Sequence, residues 1–216
     1  MKNIPLFTSS YGLATLILRE ISWNGRAYVL VREIWHDGAA LLEECRAFCL
    51  AVGAREVYAA WAEGFETLPA AHAYDMLAMS CPKAALPVES LPLEPLSREN
   101  ADAYLEIYQR CFRDVPSAAS YDRKSLEPLY GEDLAWLVPV AGGYGAIAEI
   151  SKTGLEGIAV LPEHRGLGYP LAATVLQMVP SPVVHLRVAS TNHRALALYC
   201  RLGFTEDAPA RPWYRL

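Results

Sequence analysis

Charge is scarce in this 216-residue sequence, and it carries no basic excess. Only 20% of residues are Asp, Glu, Lys or Arg, and the formal net charge is −5. That balance offers no electrostatic footprint for a polyanion, so nucleic acid is not an expected partner. Cysteine is also thin: five residues, at 45, 49, 81, 111 and 200. An odd count without regular spacing excludes a disulfide framework. Cys45 and Cys49 stand four apart on one predicted helix face, but no second pair follows at ligand spacing. Core packing explains them better than a metal. Long apolar runs are missing as well. The first residues carry one Lys and an apolar run broken by Pro5, Ser9, Ser10 and Gly12, unlike a signal peptide. No stretch reaches the length needed to span a membrane. The expected setting is cytoplasmic, with no membrane and no metal.

Apolar residues are plentiful, at 53%, enough for one or two compact units with a sizeable core. Charge is distributed unevenly. Residues 151–216 hold seven Lys/Arg against four Asp/Glu, whereas residues 1–150 hold twelve against twenty. A basic C-terminal part suits a phosphate-bearing ligand and an acidic remainder suits a cationic amine; uneven surface charge explains both equally well.

Leu13–Ile21 reads as a strand, Asn24-Gly25 as a hairpin turn, and Ala27–Ile34 as the returning strand. Asp37 is placed to cap a helix whose apolar positions are Leu41, Leu42, Cys45, Phe48, Cys49 and Val52, with Gly53 ending it. Glu56–Ala60 reads as a strand and Ala70–Met79 as a second helix. Four prolines within 82–95 mark an extended connection, which places a smaller N-terminal unit at 1–88 and a second unit at 91–216. There, Leu91–Leu96 reads as a strand and Arg98–Phe112 as a helix capped by Ser97, with Tyr104, Ile107, Tyr108 and Cys111 as its apolar stripe. A short helix over Tyr121–Tyr130 follows. Leu134–Val140, Tyr144–Ile150 and Leu155–Leu161 read as strands. Ala208–Leu216 holds two prolines and has no firm assignment.

The rest is organised around Gly154–Phe204. An apolar strand runs into Arg165-Gly166-Leu167-Gly168, and an apolar helix follows from Leu171 to Val179. Glycines at 166 and 168 allow a tight curl with inward N–H groups, and the helix adds its unpaired amides and positive dipole end. This is a place for a phosphate or pyrophosphate. Leu186–Val188 then reads as a strand and Asn192–Gly203 as a short helix.

The loop matches the Arg/Gln-x-x-Gly-x-Gly/Ala pattern of the GCN5-related N-acetyltransferases (GNAT). Asn192-His193-Arg194-Ala195-Leu196-Ala197-Leu198-Tyr199-Cys200-Arg201-Leu202-Gly203-Phe204 is similar to that family's second signature. Their order and spacing make residues 91–216 resemble a GNAT domain. The resemblance implies an α/β (α+β) GNAT acyl-CoA N-acyltransferase fold, a mixed central sheet flanked by helices. The preceding hairpin–helix–strand unit reads as a degenerate GNAT-like half or an unrelated α+β cap.

It further implies an acetyl-CoA-dependent N-acetyltransferase acting by direct attack of a primary amine on the thioester. The acceptor is a small molecule or peptide and the protein a monomer or homodimer. By position, the amides of Arg165, Gly166, Leu167, Gly168, Tyr169, Pro170 and Leu171 would cradle the pyrophosphate, and Ile158, Ala159 and Val160 would run beside the pantetheine arm. Pro170 stands where the family has Gly or Ala. It lacks an N–H, a loss of about 1–3 kcal/mol of binding. Tyr199 matches the family's proton donor to the leaving thiolate, and Asn192 either contacts the pantetheine arm or only caps its helix. Two carboxylates compete for the base: Glu156, on the face of Ile158 and Val160 by period-two alternation, and Glu149 on the preceding strand. The alternative reading is a non-catalytic acyl-CoA-binding or sensing module.

Overall fold

The computed structural model describes residues 3–216. Its elements run β1 (Leu6–Ser9), β2 (Gly12–Ile17), α1 (Ile21–Asn24), β3 (Arg26–Ile34), α2 (Gly38–Ala51), β4 (Glu56–Trp61), β5 (Ala71–Pro82), β6 (Glu94–Pro95), α3 (Ala101–Phe112), α4 (Arg123–Leu126), β7 (Ala135–Val140), β8 (Gly143–Ile150), β9 (Gly154–Val160), α5 (Gly168–Leu176), β10 (Val183–Ala189), α6 (His193–Arg201) and β11 (Thr205–Arg215). They form two compact units. Unit 1 takes the chain up to Leu77 together with Ala189–Thr191 and Pro209–Leu216; unit 2 takes Ala78–Val188 and Asn192–Ala208. Strands β5 and β11 therefore each begin in one unit and end in the other.

In unit 1, β2 and β3 pair antiparallel, with Ile17 opposite Tyr28. The link between them is not a two-residue turn. Residues 21–24 form one helical turn, and Gly25 closes it at φ 79°, a left-handed C-cap. The Asn-Gly pair serves a helix end because Gly suits either role equally. Helix α2 begins as its sequence dictates: Asp37 Oδ1 accepts hydrogen bonds from the Ala39 and Ala40 amides at 2.9 and 3.1 Å. Its inward stripe buries Leu41, Leu42, Cys45 and Cys49 against Ala14, Leu16, Val29, Val31, Val57 and Ala59 of the sheet. Burial pushes the Cys45 thiol up to about 12 and that of Cys49 to about 11, so both stay protonated core residues. Strands β3 and β4 pair in parallel from Arg26↔Glu56 to Val31↔Trp61. The last residues of the chain complete this sheet, with Tyr214 opposite Ala59.

The segment expected to form a helix at 70–79 is the first part of β5. Ala, Leu and Met favour a helix, but Leu77, Met79 and Cys81 are buried at every second position, and sheet packing overrides the local preference. Pro209 and Pro212 sit within β11.

In unit 2 the strands lie in the order β5-β10-β9-β8-β7-β6. Helix α3 starts at Ala101, later than its sequence suggests. Asn100 is its N-cap residue, and the Asn100 side chain accepts from the Ser97 amide at 2.8 Å. The expected strand at 91–96 is reduced to Glu94–Pro95, because prolines at 92 and 95 remove ladder donors. Residues Leu171–Leu176 of α5 are all buried, and the one hydroxyl among these six, Thr174 Oγ1, donates to Pro170 O at 2.7 Å.

Candidate functional site

Strand β9 is paired on one side and open on the other. Toward β8 it is held from Leu155 to Val160. Toward β10 only Gly154 and Leu155 pair, with His185 and Leu186. The Leu161 amide donates to Gly145 O on β8 at 2.9 Å, so by strand alternation the amides of Ala159 and Gly157 also point to β8. Those of Ile158 and Val160 point the opposite way, to the side where β10 has diverged. The amides of Ile158 and Val160 thus have no strand partner, although the Val160 carbonyl accepts a hydrogen bond from Cys111 Sγ at 3.6 Å; Ala159 is buried and its amide is turned to β8.

The open edge leads into the Arg-Gly loop. Gly166 adopts φ 110°, a left-handed conformation that costs a side-chain-bearing residue energy. The Leu167 amide donates to His164 O at 3.3 Å and that of Leu171 to Leu167 O at 2.9 Å, so both are spent internally. Pro170 has no N–H. Among the described residues the amides of Arg165, Gly166, Gly168 and Tyr169 have no acceptor, and α5 has no side-chain cap. A Cβ on Gly168 would reach Val160 Cγ2 at 3.8 Å and Leu198 Cδ2 at 3.9 Å. The loop, the open strand and α6 therefore meet at one place.

Helix α6 brings Tyr199 there. Asn192 Oδ1 accepts from the Ala195 amide at 3.3 Å, so it caps the helix. Arg201 lies over the Tyr169 ring, 4.2 Å from its centroid, and ties α6 to the start of α5. Tyr199 is 7% exposed and packs against Phe204. Its hydroxyl has no hydrogen-bond partner among the described residues. Burial pushes the phenol up to about 12, so it is a hydrogen-bond donor throughout the physiological range.

The geometry separates the two candidate carboxylates. Glu149 pairs with Gly157, and Ile150 with Leu155, so Glu156 is the extra residue of a β-bulge. Period-two alternation breaks there, a feature the sequence does not announce. Glu156 is exposed. Glu149 is 9% exposed and accepts hydrogen bonds from Tyr104 Oη at 3.2 Å and from Tyr121 Oη, at 3.2 Å to each oxygen. Burial raises its pKa, the two phenols pull it back, and the Glu156 charge adds to the rise. Above it the rings of Phe112, Tyr108 and Tyr121 stack, with successive centroids 4.5 Å apart. Gly157 lies under Phe112: a Cβ there would meet Phe112 Cζ at 3.5 Å, an ordinary contact.

An open parallel strand pair, an uncommitted amide loop and a second helix carrying tyrosine form one arrangement, and residues 98–204 match the family model described as Acetyltransferase (GNAT) family. This segment is a GNAT domain. Solved structures share the fold along the whole chain. A functionally unknown conserved protein from Staphylococcus epidermidis is 15% identical, with a TM-score of 0.59 over 100% of this chain and 94% of its own. A GCN5-related N-acetyltransferase from Kribbella flavida is 19% identical, with a TM-score of 0.57 over 98% and 89%. A tandem GNAT protein from the clavulanic acid biosynthesis pathway is 17% identical, with a TM-score of 0.57 over 97% and 80%. No curated protein matches the sequence.

Within the GNAT domain, the sequence motifs locate the loop and Tyr199, but they miss Tyr104, Tyr108, Phe112 and Tyr121. The first two occupy the apolar stripe of α3, where a tyrosine reads as packing. Their one available signal was the polar tip on each ring, which requires a partner once buried. No helix among the described residues is long and apolar enough to cross a membrane, and no group of three metal-ligating side chains forms there.

Proposed function

We propose that the GNAT domain is an N-acetyltransferase, moving an acetyl group from acetyl-CoA to the primary amine of a small molecule or peptide. The observation that carries this reading is the half-paired β9. Amides without a strand partner at Ile158 and Val160, running into four uncommitted loop amides, suit an extended chain ending in a pyrophosphate. The loop amides supply donors for phosphate oxygens. Acetyl-CoA would supply the activated thioester when bound.

The Val160 amide would then donate to the thioester oxygen as charge develops there. The amine nitrogen would form a bond to the carbonyl carbon as the C–S bond breaks; sulfur would leave with the electron pair, and the proton lost from nitrogen would balance the one gained by the released thiol. With its pKa near 12, Tyr199 is a weaker acid than a thiol of pKa about 8.5. It therefore stabilises the leaving sulfur by donating a hydrogen bond, and full proton transfer is not required. On the acceptor side, the exposed Glu156 would offer a carboxylate to a cationic amine.

Calorimetric titration with acetyl-CoA, wild type beside Gly168→Glu, tests the reading. Micromolar affinity in the wild type and its loss in the variant are expected. Absence of binding to the wild type at millimolar ligand overturns it. Tyr199→Phe should keep the affinity and lower kcat by about 10–100-fold.

A further inference from the structure

We propose that Arg201, held over Tyr169 at the rim of the amide loop, reads the 3′-phosphate of the acyl donor. The inference deepens the acetyl-CoA reading above and rests on it. Coenzyme A carries three phosphate groups, two in its pyrophosphate and a third on its ribose. The four uncommitted amides, at Arg165, Gly166, Gly168 and Tyr169, suit the first two. Arg201 is a separate donor beside them. Its guanidinium lies over the Tyr169 ring, 4.2 Å from the centroid, and Tyr169 is itself one of the four.

Charge is the second argument. Among the described residues no carboxylate pairs with Arg165 or Arg201. Other arginines of the same unit are neutralised: Arg110 meets Glu163 at 3.2 Å, and Arg123 meets Asp102. Glu163, two residues before Arg165, is therefore already engaged. A guanidinium without an acid partner keeps its donors for a ligand. A phosphate monoester, with about −1.5 to −2 charge at pH 7, is a strong acceptor for that fork of N–H groups.

Tyr169 holds the cation in place. A guanidinium resting on an aromatic ring uses its charge and π-system for that contact, and its N–H groups stay available to others. A side chain fixed in this way also loses less freedom when a phosphate arrives. Arg201 is exposed and Tyr169 half-buried, whereas Tyr199, two residues earlier on α6, is buried. One helix thus offers a buried hydroxyl for the reacting end of the donor and an exposed cation for its phosphorylated end. Arg201 also stands in the last turn of α6, where a cation favours the helix dipole, a role that involves no ligand.

The test uses the full chain and calorimetric titration with acetyl-CoA and acetyl-dephospho-CoA, which lacks the 3′-phosphate. The wild type should prefer acetyl-CoA by about tenfold, the size of a charge-assisted hydrogen bond at an exposed site. Arg201→Gln should lose that preference, with acetyl-CoA weakened about tenfold and acetyl-dephospho-CoA changed by less than about twofold. Arg201→Lys, which keeps the charge without the fork, should fall between. Tyr169→Leu should lose part of the preference and Tyr169→Phe should keep it, because the phenyl ring still holds the cation. Added salt should shrink the wild-type preference and leave Arg201→Gln unmoved. Equal weakening of both ligands in Arg201→Gln would place the guanidinium on the pyrophosphate and overturn the inference alone. A lower thermal midpoint with both affinities intact would leave only the helix-end role and overturn it too, as would a wild type that binds the two ligands equally. Failure of the wild type to bind either ligand overturns the acetyl-CoA reading, and the inference falls with it.

Discussion

Each unit contains a strand–helix–strand element, and the two are built in opposite senses. In unit 1, β3–α2–β4 is sealed: β3 and β4 stay paired across six residues, and the first amides of α2 are occupied by Asp37. In unit 2, β9–α5–β10 is open: pairing stops after Leu155, and α5 begins without a side-chain cap. Strand pairing and a capped helix satisfy the backbone at home, whereas a strand edge and helix end without partners must find acceptors and donors elsewhere. The same architecture is thus a structural element in one unit and a candidate binding element in the other. A few residues decide which: Asp37 and Gly38 at one helix start, Gly166, Leu167 and Gly168 at the other.

The sharpest way to break the comparison is at the open helix start. Gly168→Glu puts a bulky anion among the amides, beside Val160 and Leu198. We expect at least a 100-fold loss of acetyl-CoA affinity with the thermal midpoint little changed. If affinity survives, the loop is not the binding element and the contrast loses its functional meaning.

Next in size is the point where β9 still touches β10. A Cβ on Gly154 would run into the His185 carbonyl, a backbone atom with no room to yield. Gly154→Ala should therefore cost about 1–3 kcal/mol, the usual penalty for overpacking, measured by denaturant unfolding. It should also widen the divergence and weaken cofactor binding. A neutral result would show that these strands need no pairing at all.

At the sealed helix, Asp37→Ala removes the acceptor for the Ala39 and Ala40 amides and should cost about 1 kcal/mol. Acetyl-CoA affinity should not move. A new affinity for phosphate in that variant would mean the two units differ by this cap alone.

Much of this contrast is legible in the sequence. Asp37 before an apolar helix, and glycines in place of a capping residue before the other, are local signals. So is Tyr199, fixed by its spacing from Asn192 and from Leu202-Gly203-Phe204. Other parts depend on partners far away in the chain. β5 has helix-forming composition and becomes a strand because every second residue from Leu77 to Cys81 is buried. β11 tolerates two prolines, which a reading of single strands cannot anticipate. The bulge at Glu156 arises from a register shift between two strands, so no residue alone reveals it. The same holds for Glu149, whose buried hydrogen bonds come from tyrosines 28 and 45 positions away.

The smallest expected effect concerns Glu149 itself. On the hairpin strand that pairs β3, unit 1 has Leu16 and Ile17, whereas unit 2 has this carboxylate on β8. Burial holds the Glu149 pKa above the ordinary carboxylate value. Below that ordinary value both folded and unfolded chains keep the proton, and the residue has no effect on stability. As pH rises past it, the unfolded chain ionises first while the folded chain still holds its proton. The folded state then binds more protons, so stability falls with rising pH until Glu149 ionises in the folded chain too. Glu149→Gln has no such window. The difference in thermal midpoint, Glu149→Gln minus wild type, should therefore grow more positive across this window and level off above it. Taking the difference cancels the other carboxylates. A flat difference, or one that falls, would mean that the two tyrosine hydroxyls outweigh burial, and that unit 2 holds a stabilised carboxylate beside its open strand.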